Sequence, residues 1–183
     1  MNKNKFKSLK TERLILRKLY LNDTKQYFDI IGSSKQVSKY TLWEPHKEIK
    51  ETEVLMREWV SQYEDNDFYK WAITLKNTGE LIGIIQLLRF NDKNNSCEVA
   101  YLLGEKYWNQ GYMTEALNEI IKFSFTELGI STINADHYSE NIASGKVLLK
   151  SGMKFLGKEK DRFNNSKGFD ELMCYSIKYD DWK

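Results

Sequence analysis

The stretch Leu81–Phe90 places the tightest limit on the fold. Leu81, Ile82, Ile84, Ile85, Leu87 and Leu88 make it almost continuously apolar. A short run of this kind between turn signals reads as a strand buried on both faces, so it needs a packed layer on either side. Upstream, Trp71, Ile73 and Leu75 alternate along a second strand, and Asn77-Thr78-Gly79 is the hairpin turn between the two. Downstream, Asn91–Asn95 makes another turn and Cys97–Leu103 is the third strand of the meander.

Helical periodicity surrounds this meander. Asn22-Asp23 reads as the capped start of a helix with Tyr27, Phe28, Ile30 and Ile31 on its apolar stripe. A second helix runs from Ile49 to Tyr63, with Val54, Leu55, Trp59 and Tyr63 expected to be buried, and Glu64-Asp65-Asn66-Asp67 follows as a turn. After the third strand, Trp108-Asn109-Gln110-Gly111-Tyr112-Met113-Thr114 leads into a long helix. Glu115, Ala116, Leu117, Ile120, Ile121, Phe125 and Leu128 keep helical spacing, and Gly129 closes it. Ser131–Tyr138 is the next strand. A helix separates it from Cys97–Leu103, so those two are expected to be parallel, joined by a right-handed crossover. A short helix, Asn141–Ser151, precedes two strands near Lys154–Lys160 and Glu171–Tyr179, which flank the polar turn Asn164–Gly168. With Arg13–Leu19 as an opening strand, residues 1–183 read as one α/β domain. Its sheet is mixed and mostly antiparallel, with about seven strands and about four main helices. Residues 1–8 are expected to form a flexible tail.

Composition narrows the function. The chain has 183 residues, enough for one full core, and 41% hydrophobic with 30% charged residues is the balance of a soluble globular protein. A net charge of +2 gives no ground for nucleic-acid binding. No run is apolar enough to span a membrane, and no apolar segment follows the Lys-rich start as a secretory signal requires, so a cytoplasmic location is expected. Cys97 and Cys174 are expected as free thiols rather than a disulfide. With His46 and His137 they make no metal-ligand cluster, so no metal is expected.

Gly111 sits where a loop becomes a helix. A helix start exposes unpaired N–H groups and a positive dipole end, which suits a phosphate or pyrophosphate, and glycine lets the ligand approach the backbone. No P-loop explains this turn: Gly145-Lys146 is followed by Val147 and lacks the upstream glycine. Four motifs occur in order: Thr11-Glu12-Arg13-Leu14-Ile15-Leu16-Arg17, Glu98-Val99-Ala100-Tyr101-Leu102-Leu103, Trp108 to Ala116, and Asn141-Ile142-Ala143-Ser144 leading to Lys150-Ser151-Gly152-Met153. In this order they resemble the GNAT acetyltransferase superfamily, and within it the RimJ/RimL-type branch, whose better-known members acetylate N-terminal amines of ribosomal proteins.

The resemblance implies a fold and a site. The family's acetyl-CoA loop, Gln/Arg-x-x-Gly-x-Gly/Ala, falls on Trp108 to Met113 with Gly111 as its central glycine; Trp108 and Met113 depart from the pattern. Trp108, Asn109, Gln110, Gly111, Tyr112, Met113 and Thr114 are then the pyrophosphate grip. The Ala100–Leu103 strand splays from its parallel neighbour, and Tyr101, Leu102 and Leu103 pair with the pantetheine arm of acetyl-CoA, the cosubstrate. The acceptor is a primary amine, either a protein N-terminus such as that of a ribosomal protein or a small molecule. It attacks directly in a ternary complex.

Such a transfer needs a proton acceptor for the amine, an oxyanion donor and a proton donor for the departing thiolate. Glu98 is the first candidate base, an ionisable residue sharing a strand face with Ala100 and Leu102. The plainer reading is a carboxylate that faces solvent or pairs with a neighbouring-strand Arg or Lys. His137, at a strand end, is the second candidate and is otherwise an ordinary rim residue. A backbone N–H near Leu102 is the oxyanion donor. Many superfamily members place a tyrosine where this chain has Leu148, so that acid is absent. The RimJ/RimL-type branch offers Ser144 instead, with Asn141 on the pantetheine amides. Asn141 also suits a helix N-cap. Tyr40 and Trp43 are expected to wall the acceptor pocket, and Trp59 and Trp71 to pack the core. The competing function is an acyl-CoA-binding or regulatory module without turnover. The edge strand near the C-terminus leaves a monomer and a homodimer both open.

Overall fold

A computed structural model describes residues 6–64, 68–163 and 165–182. In chain order its strands and α-helices are β1 (Leu9–Lys10), β2 (Leu14–Arg17), α1 (Thr24–Tyr27), α2 (Lys35–Ser38), α3 (Ile49–Ser61), β3 (Tyr69–Leu75), β4 (Leu81–Asn91), β5 (Ser96–Leu103), α4 (Tyr112–Thr126), β6 (Thr132–Tyr138), α5 (Ile142–Lys150), β7 (Lys154–Lys160), β8 (Glu171–Lys178) and α6 (Tyr179–Trp182). One 8-stranded sheet runs in the order β1-β2-β3-β4-β5-β6-β8-β7. Every neighbouring pair is antiparallel except β5 and β6, which are parallel.

The apolar strand β4 lies inside the sheet and is covered on both faces. Leu81 and Ile84 pack with Tyr27, Ile31 and Met56. Ile82, Ile85 and Leu87 pack on the other face with Leu117, Ile120 and Phe123 of α4. Trp71 centres this second layer. It is fully buried, meets Phe123 edge-on at 5.6 Å, and donates its Nε1–H to the Lys7 carbonyl at 2.9 Å. Each face therefore has its own apolar layer, as a doubly buried strand requires.

The parallel pair is short. Ser96, Cys97 and Glu98 pair with Thr132, Ile133 and Asn134, and the register ends there. On its other side β5 stays paired with β4 as far as Leu103. From Val99 onward the edge of β5 toward β6 has no strand partner among the described residues.

Several local expectations are corrected. The sheet has an eighth strand, β1, where a two-residue segment pairs with Leu16 and Ile15; two residues carry no periodicity to read. Of the expected tail, residues 1–5 lie outside the described residues. Phe6 and Lys7 are held, Phe6 by its ring 5.1 Å from Trp71 and Lys7 through its carbonyl. Asp23 stands at the N-cap position of α1 but its side chain does not cap that helix; it closes the 3₁₀ turn Leu21–Asp23 instead. It is buried and turns back to accept from Tyr20 N–H at 2.8 Å and from Arg17 at 2.7 and 2.8 Å, and the segment continues as a π-helix over Phe28–Gly32. Val54 is 68% exposed, whereas Thr52 and Met56 are fully buried. Val54 lies two residues from each, about 200° round the helix, on the solvent side. Residues 65–67 of the expected turn lie outside the described residues. Cys97 and Cys174 are both free thiols. No helix among the described residues is long and apolar enough to cross a membrane.

Trp71→Ala is expected to lower the free energy of unfolding by about 3–5 kcal/mol, because it opens a cavity where little can collapse and releases Lys7. Urea denaturation of the two proteins measures it.

Candidate functional site

The turn after β5 is shaped by backbone conformation. Asn109 adopts φ +59° and Gly111 φ +81°, both left-handed, and α4 starts directly after Gly111. No side chain caps this helix, so its first-turn N–H groups are not taken up by a cap. Trp108 bends back and donates its Nε1–H to the Leu103 carbonyl at 2.8 Å. Gln110 donates to the Lys106 carbonyl at 2.8 Å. The side chains of Trp108 and Gln110 thus brace the turn, and its backbone remains the part able to meet a ligand.

A clamp fixes this turn to the start of the chain. Glu115 Oε1 accepts from the Thr11 hydroxyl at 2.6 Å and from Arg13 N–H at 2.8 Å, and Oε2 accepts from Arg13 Nε at 2.7 Å. Arg13 Nη1 donates to the Gln110 carbonyl at 3.0 Å, and its guanidinium lies 4.4 Å above the Tyr112 ring. Burial works to raise the Glu115 carboxyl, but the hydrogen bonds from Thr11 and Arg13 prevail and hold it below the usual carboxylate range. Thr11-Glu12-Arg13 and Glu115-Ala116 are thereby two halves of one contact.

Helix α5 faces the opening beyond the parallel pair. Asn141 is its N-cap, with Oδ1 accepting from Ser144 N–H at 3.4 Å. The Tyr101 hydroxyl stands 3.0 Å from Ser144 Oγ and 3.2 Å from the Ser144 carbonyl. Leu148, one turn further on, is fully buried in the core. His137 is buried on the Tyr175 side of the sheet, its Nδ1 at 2.7 Å from the Tyr138 carbonyl and its Nε2 at 3.3 Å from the Tyr175 hydroxyl. Burial pushes its pKa down, against the pull of the Tyr138 carbonyl and Asp136. A Cβ on Gly145 would come within 2.6 Å of His137 Nε2, so α5 presses directly onto the ring. The structure does not bring His137 together with Glu98.

Glu98 lies on the opposite face of the sheet. Its Oε2 accepts from Arg89 Nη1 at 2.6 Å, and its Oε1 is 3.9 Å from Arg162 Nη2. A β-bulge delivers Arg89. The β4–β5 register shifts between Leu88 and Asn91, and Arg89 adopts φ +50°. Regular alternation would turn Arg89 toward the Leu87 layer. The bulge sends Phe90 there and Arg89 to Glu98. Both guanidiniums also lie against Phe163, 4.9 and 4.8 Å from its ring centre, and Arg162 hydrogen-bonds Asp136. Burial raises the Asp136 carboxyl, and Arg162 opposes it. Nearby, Lys167 donates to the Ser38 and Trp43 carbonyls at 2.7 and 2.8 Å. Tyr40 packs on Phe169 at 5.3 Å and Trp43 on His46 at 5.6 Å. Lys167 thus ties the loop after β7 to the loop carrying Tyr40 and Trp43. On this face Lys70 lies 3.9 Å over the Trp59 ring, and burial pushes its ammonium down to about 8.

The turn, Glu98, Asn141 and Ser144 are candidates legible in the sequence; Arg89, Arg162, Phe163 and Lys167 are not. Arg89 follows an apolar run and carries no signal that a bulge will re-aim it. The other three sit in or beside the polar turn, part of which, at residue 164, lies outside the described residues. Among the described residues no group of three His, Cys, Asp or Glu gathers to hold a metal ion. An open strand edge and an uncapped helix start suit a ligand that carries amides and phosphates.

Comparison with known proteins gives the family and the fold. Residues 13–154 match the family described as acetyltransferase (GNAT) domain. A protein named as the uncharacterized N-acetyltransferase YoaA of Bacillus subtilis is 29% identical over 149 residues, which cover 81% of this chain and 84% of that one. Among solved structures, a ribosomal-protein-S5-alanine acetyltransferase from Vibrio fischeri superposes with TM-score 0.81 at 20% identity, covering 97% of this chain and 99% of the other. A spermidine N-acetyltransferase from Vibrio cholerae, in complex with CoA and spermine, superposes with TM-score 0.79 at 19% identity, covering 94% and 99%. At these identities the two structures speak for the fold.

The clamp has a pH signature. Glu115 has a folded-state pKa below its unfolded value, so its contribution is present above the unfolded pKa and is lost as pH falls through the folded one. Glu115→Gln is expected to cost about 1–2 kcal/mol at neutral pH and to lose less stability than the wild type on acidification. Urea midpoints at neutral and acidic pH measure both.

Proposed function

The chain belongs to the GNAT acetyltransferase family and is an N-acetyltransferase, and on that premise we propose that it moves the acetyl group of acetyl-CoA to a primary amine by direct attack in a ternary complex. One observation carries this reading: from Val99 to Leu103 the edge of β5 has no strand partner among the described residues, its last carbonyl being taken by Trp108, and it leads through a braced turn into a helix that starts uncapped after Gly111. Tyr101, Leu102 and Leu103 offer that edge to the pantetheine arm. Trp108, Asn109, Gln110, Gly111, Tyr112, Met113 and Thr114 offer backbone donors to the pyrophosphate. Asn141 caps α5 with its oxygen and keeps its Nδ2 for a pantetheine amide. Ser144 is the proton donor for the thiolate.

The amine arrives on the Glu98 face, walled by Tyr40 and Trp43. Arg89 holds Glu98 Oε2, and Oε1 takes the amine's proton. A backbone N–H near Leu102, on the open edge of β5, receives the developing oxyanion. Fold neighbours are named for a ribosomal-protein alanine and for spermidine, and these names support an amine acceptor. The RimJ/RimL-type assignment, with a protein N-terminus as acceptor, belongs to this proposal, as does a small amine.

Incubation with acetyl-CoA and an amine panel, followed through free thiol, tests the proposal. Thiol release on at least one amine is the expected outcome. Acetyl-CoA binding with no release on any amine identifies a binding module instead. With an active amine in hand, Glu98→Gln should lower kcat/KM by about 10²–10⁴-fold at unchanged acetyl-CoA affinity; an unchanged rate removes Glu98 as the base.

A further inference from the structure

The hydroxyl of Tyr101 has no role in the reading above, which uses only that residue's backbone. Its side chain leaves β5 on the α5 side and reaches the first turn of the helix, 3.0 Å from Ser144 Oγ and 3.2 Å from the Ser144 carbonyl, and either oxygen is placed to accept its one hydrogen. Ser144 and Leu148 are one turn apart, on the same stripe of α5. Leu148 is fully buried and leaves that stripe without a phenol of its own. The strand supplies one from below. Tyr101 also lies in the unpaired stretch of β5, where the two parallel strands have parted.

We propose that Tyr101 is a positioning residue for thiolate departure: its phenol donates to Ser144 Oγ, turning the Ser144 hydrogen toward the sulfur of the leaving group. The inference rests on acetyl-CoA as the donor. A serine hydroxyl is a weak acid, and negative charge builds on its oxygen as it gives up a proton. A second donor behind it offsets that charge, and the effect is strong where water is scarce. Burial pushes the Tyr101 pKa up, so the phenol keeps its proton at neutral pH and has a hydrogen to donate. The step balances. The carbon–sulfur bond breaks with its electron pair on sulfur. The Ser144 hydroxyl proton follows the pair to give the thiol. Ser144 regains a proton from solvent, which has received the one that the amine passed to Glu98. Tyr101 stays protonated throughout.

Two readouts on Tyr101→Phe separate this from a packing role. The first needs no turnover: the ultraviolet thiolate absorbance of bound CoA, titrated with pH. A donor network that favours thiolate holds the titration below that of the variant, so Tyr101→Phe should titrate at higher pH while calorimetry finds the same CoA affinity. The second is leaving-group dependence. With acetyl-CoA, kcat should fall roughly 10-fold or more. With p-nitrophenyl acetate, whose leaving group departs without protonation, the rate should not change. Ser144→Ala should show the same two signatures, and the double variant should lose no more than Ser144→Ala alone, because the pair acts as a unit. An unshifted thiolate titration, equal losses with both donors, or additive losses in the double variant overturn the inference. A wild type that transfers acetyl to no amine overturns the function on which it rests. A wild type that does, with a Tyr101→Phe variant that matches it, overturns this inference alone.

Discussion

A strand inside a sheet needs a partner for its N–H and C=O groups along both edges. Beyond Glu98, β5 has no strand partner on the β6 side among the described residues, and the candidate site is arranged around that unmet need. The parallel pair is forced apart after three residues on each strand, and α4 and α5 both begin at the opening. Trp108 satisfies the last carbonyl of the strand, at Leu103. Tyr101 crosses the opening to Ser144. What remains between them is backbone that water or an extended ligand can pair. The glycine start of α4 extends the same logic, since it leaves helix donors without a side-chain cap.

Two charged contacts hold the two sides of this opening. On one side Glu115 gathers Thr11 and Arg13 and so ties the turn to residues that lie about a hundred positions earlier in the chain. On the other, a strained arginine at the β4 bulge grips Glu98. Neither is chiefly a source of stability, because desolvation offsets much of the attraction in partly buried pairs. Their effect is geometric. Each carboxylate is held by planar, directional donors, which fixes the elements that carry it.

The legible parts of the sequence were those where one local signal sufficed. The apolar run of β4, the alternation of Trp71, Ile73 and Leu75, and the glycines at 111 and 129 each announced an element, and the structure has those elements. Reading was weaker where two signals competed. On α3 the apolar residues do not form one clean stripe, so residue type points Val54 inward, whereas Val54 faces solvent and the polar Thr52 is buried. Asp23 has the residue type of a side-chain cap for α1, but its carboxylate turns back to Arg17 and to the Tyr20 N–H, where it closes the short 3₁₀ turn Leu21–Asp23 instead. Part of the candidate site was readable in the same way. Glu98 stands out as an acid in an apolar strand, and Asn141 and Ser144 stand at a helix start. Arg89, Arg162 and Lys167 do not stand out, since surface Arg and Lys are common and only their partners distinguish them.

By itself, the sequence determined the order of elements, the buried central strand, the parallel crossover and the family to which the chain belongs. Each of these depends on periodicity or on short motifs, and both are properties of neighbouring residues. Tertiary structure alone decided where the parallel strands part, which carboxylate each arginine holds, and that His137 and Glu98 lie on opposite faces of the sheet. Those outcomes depend on a bulge, a register and packing between residues distant along the chain, and no local pattern encodes a contact whose two halves lie about a hundred residues apart.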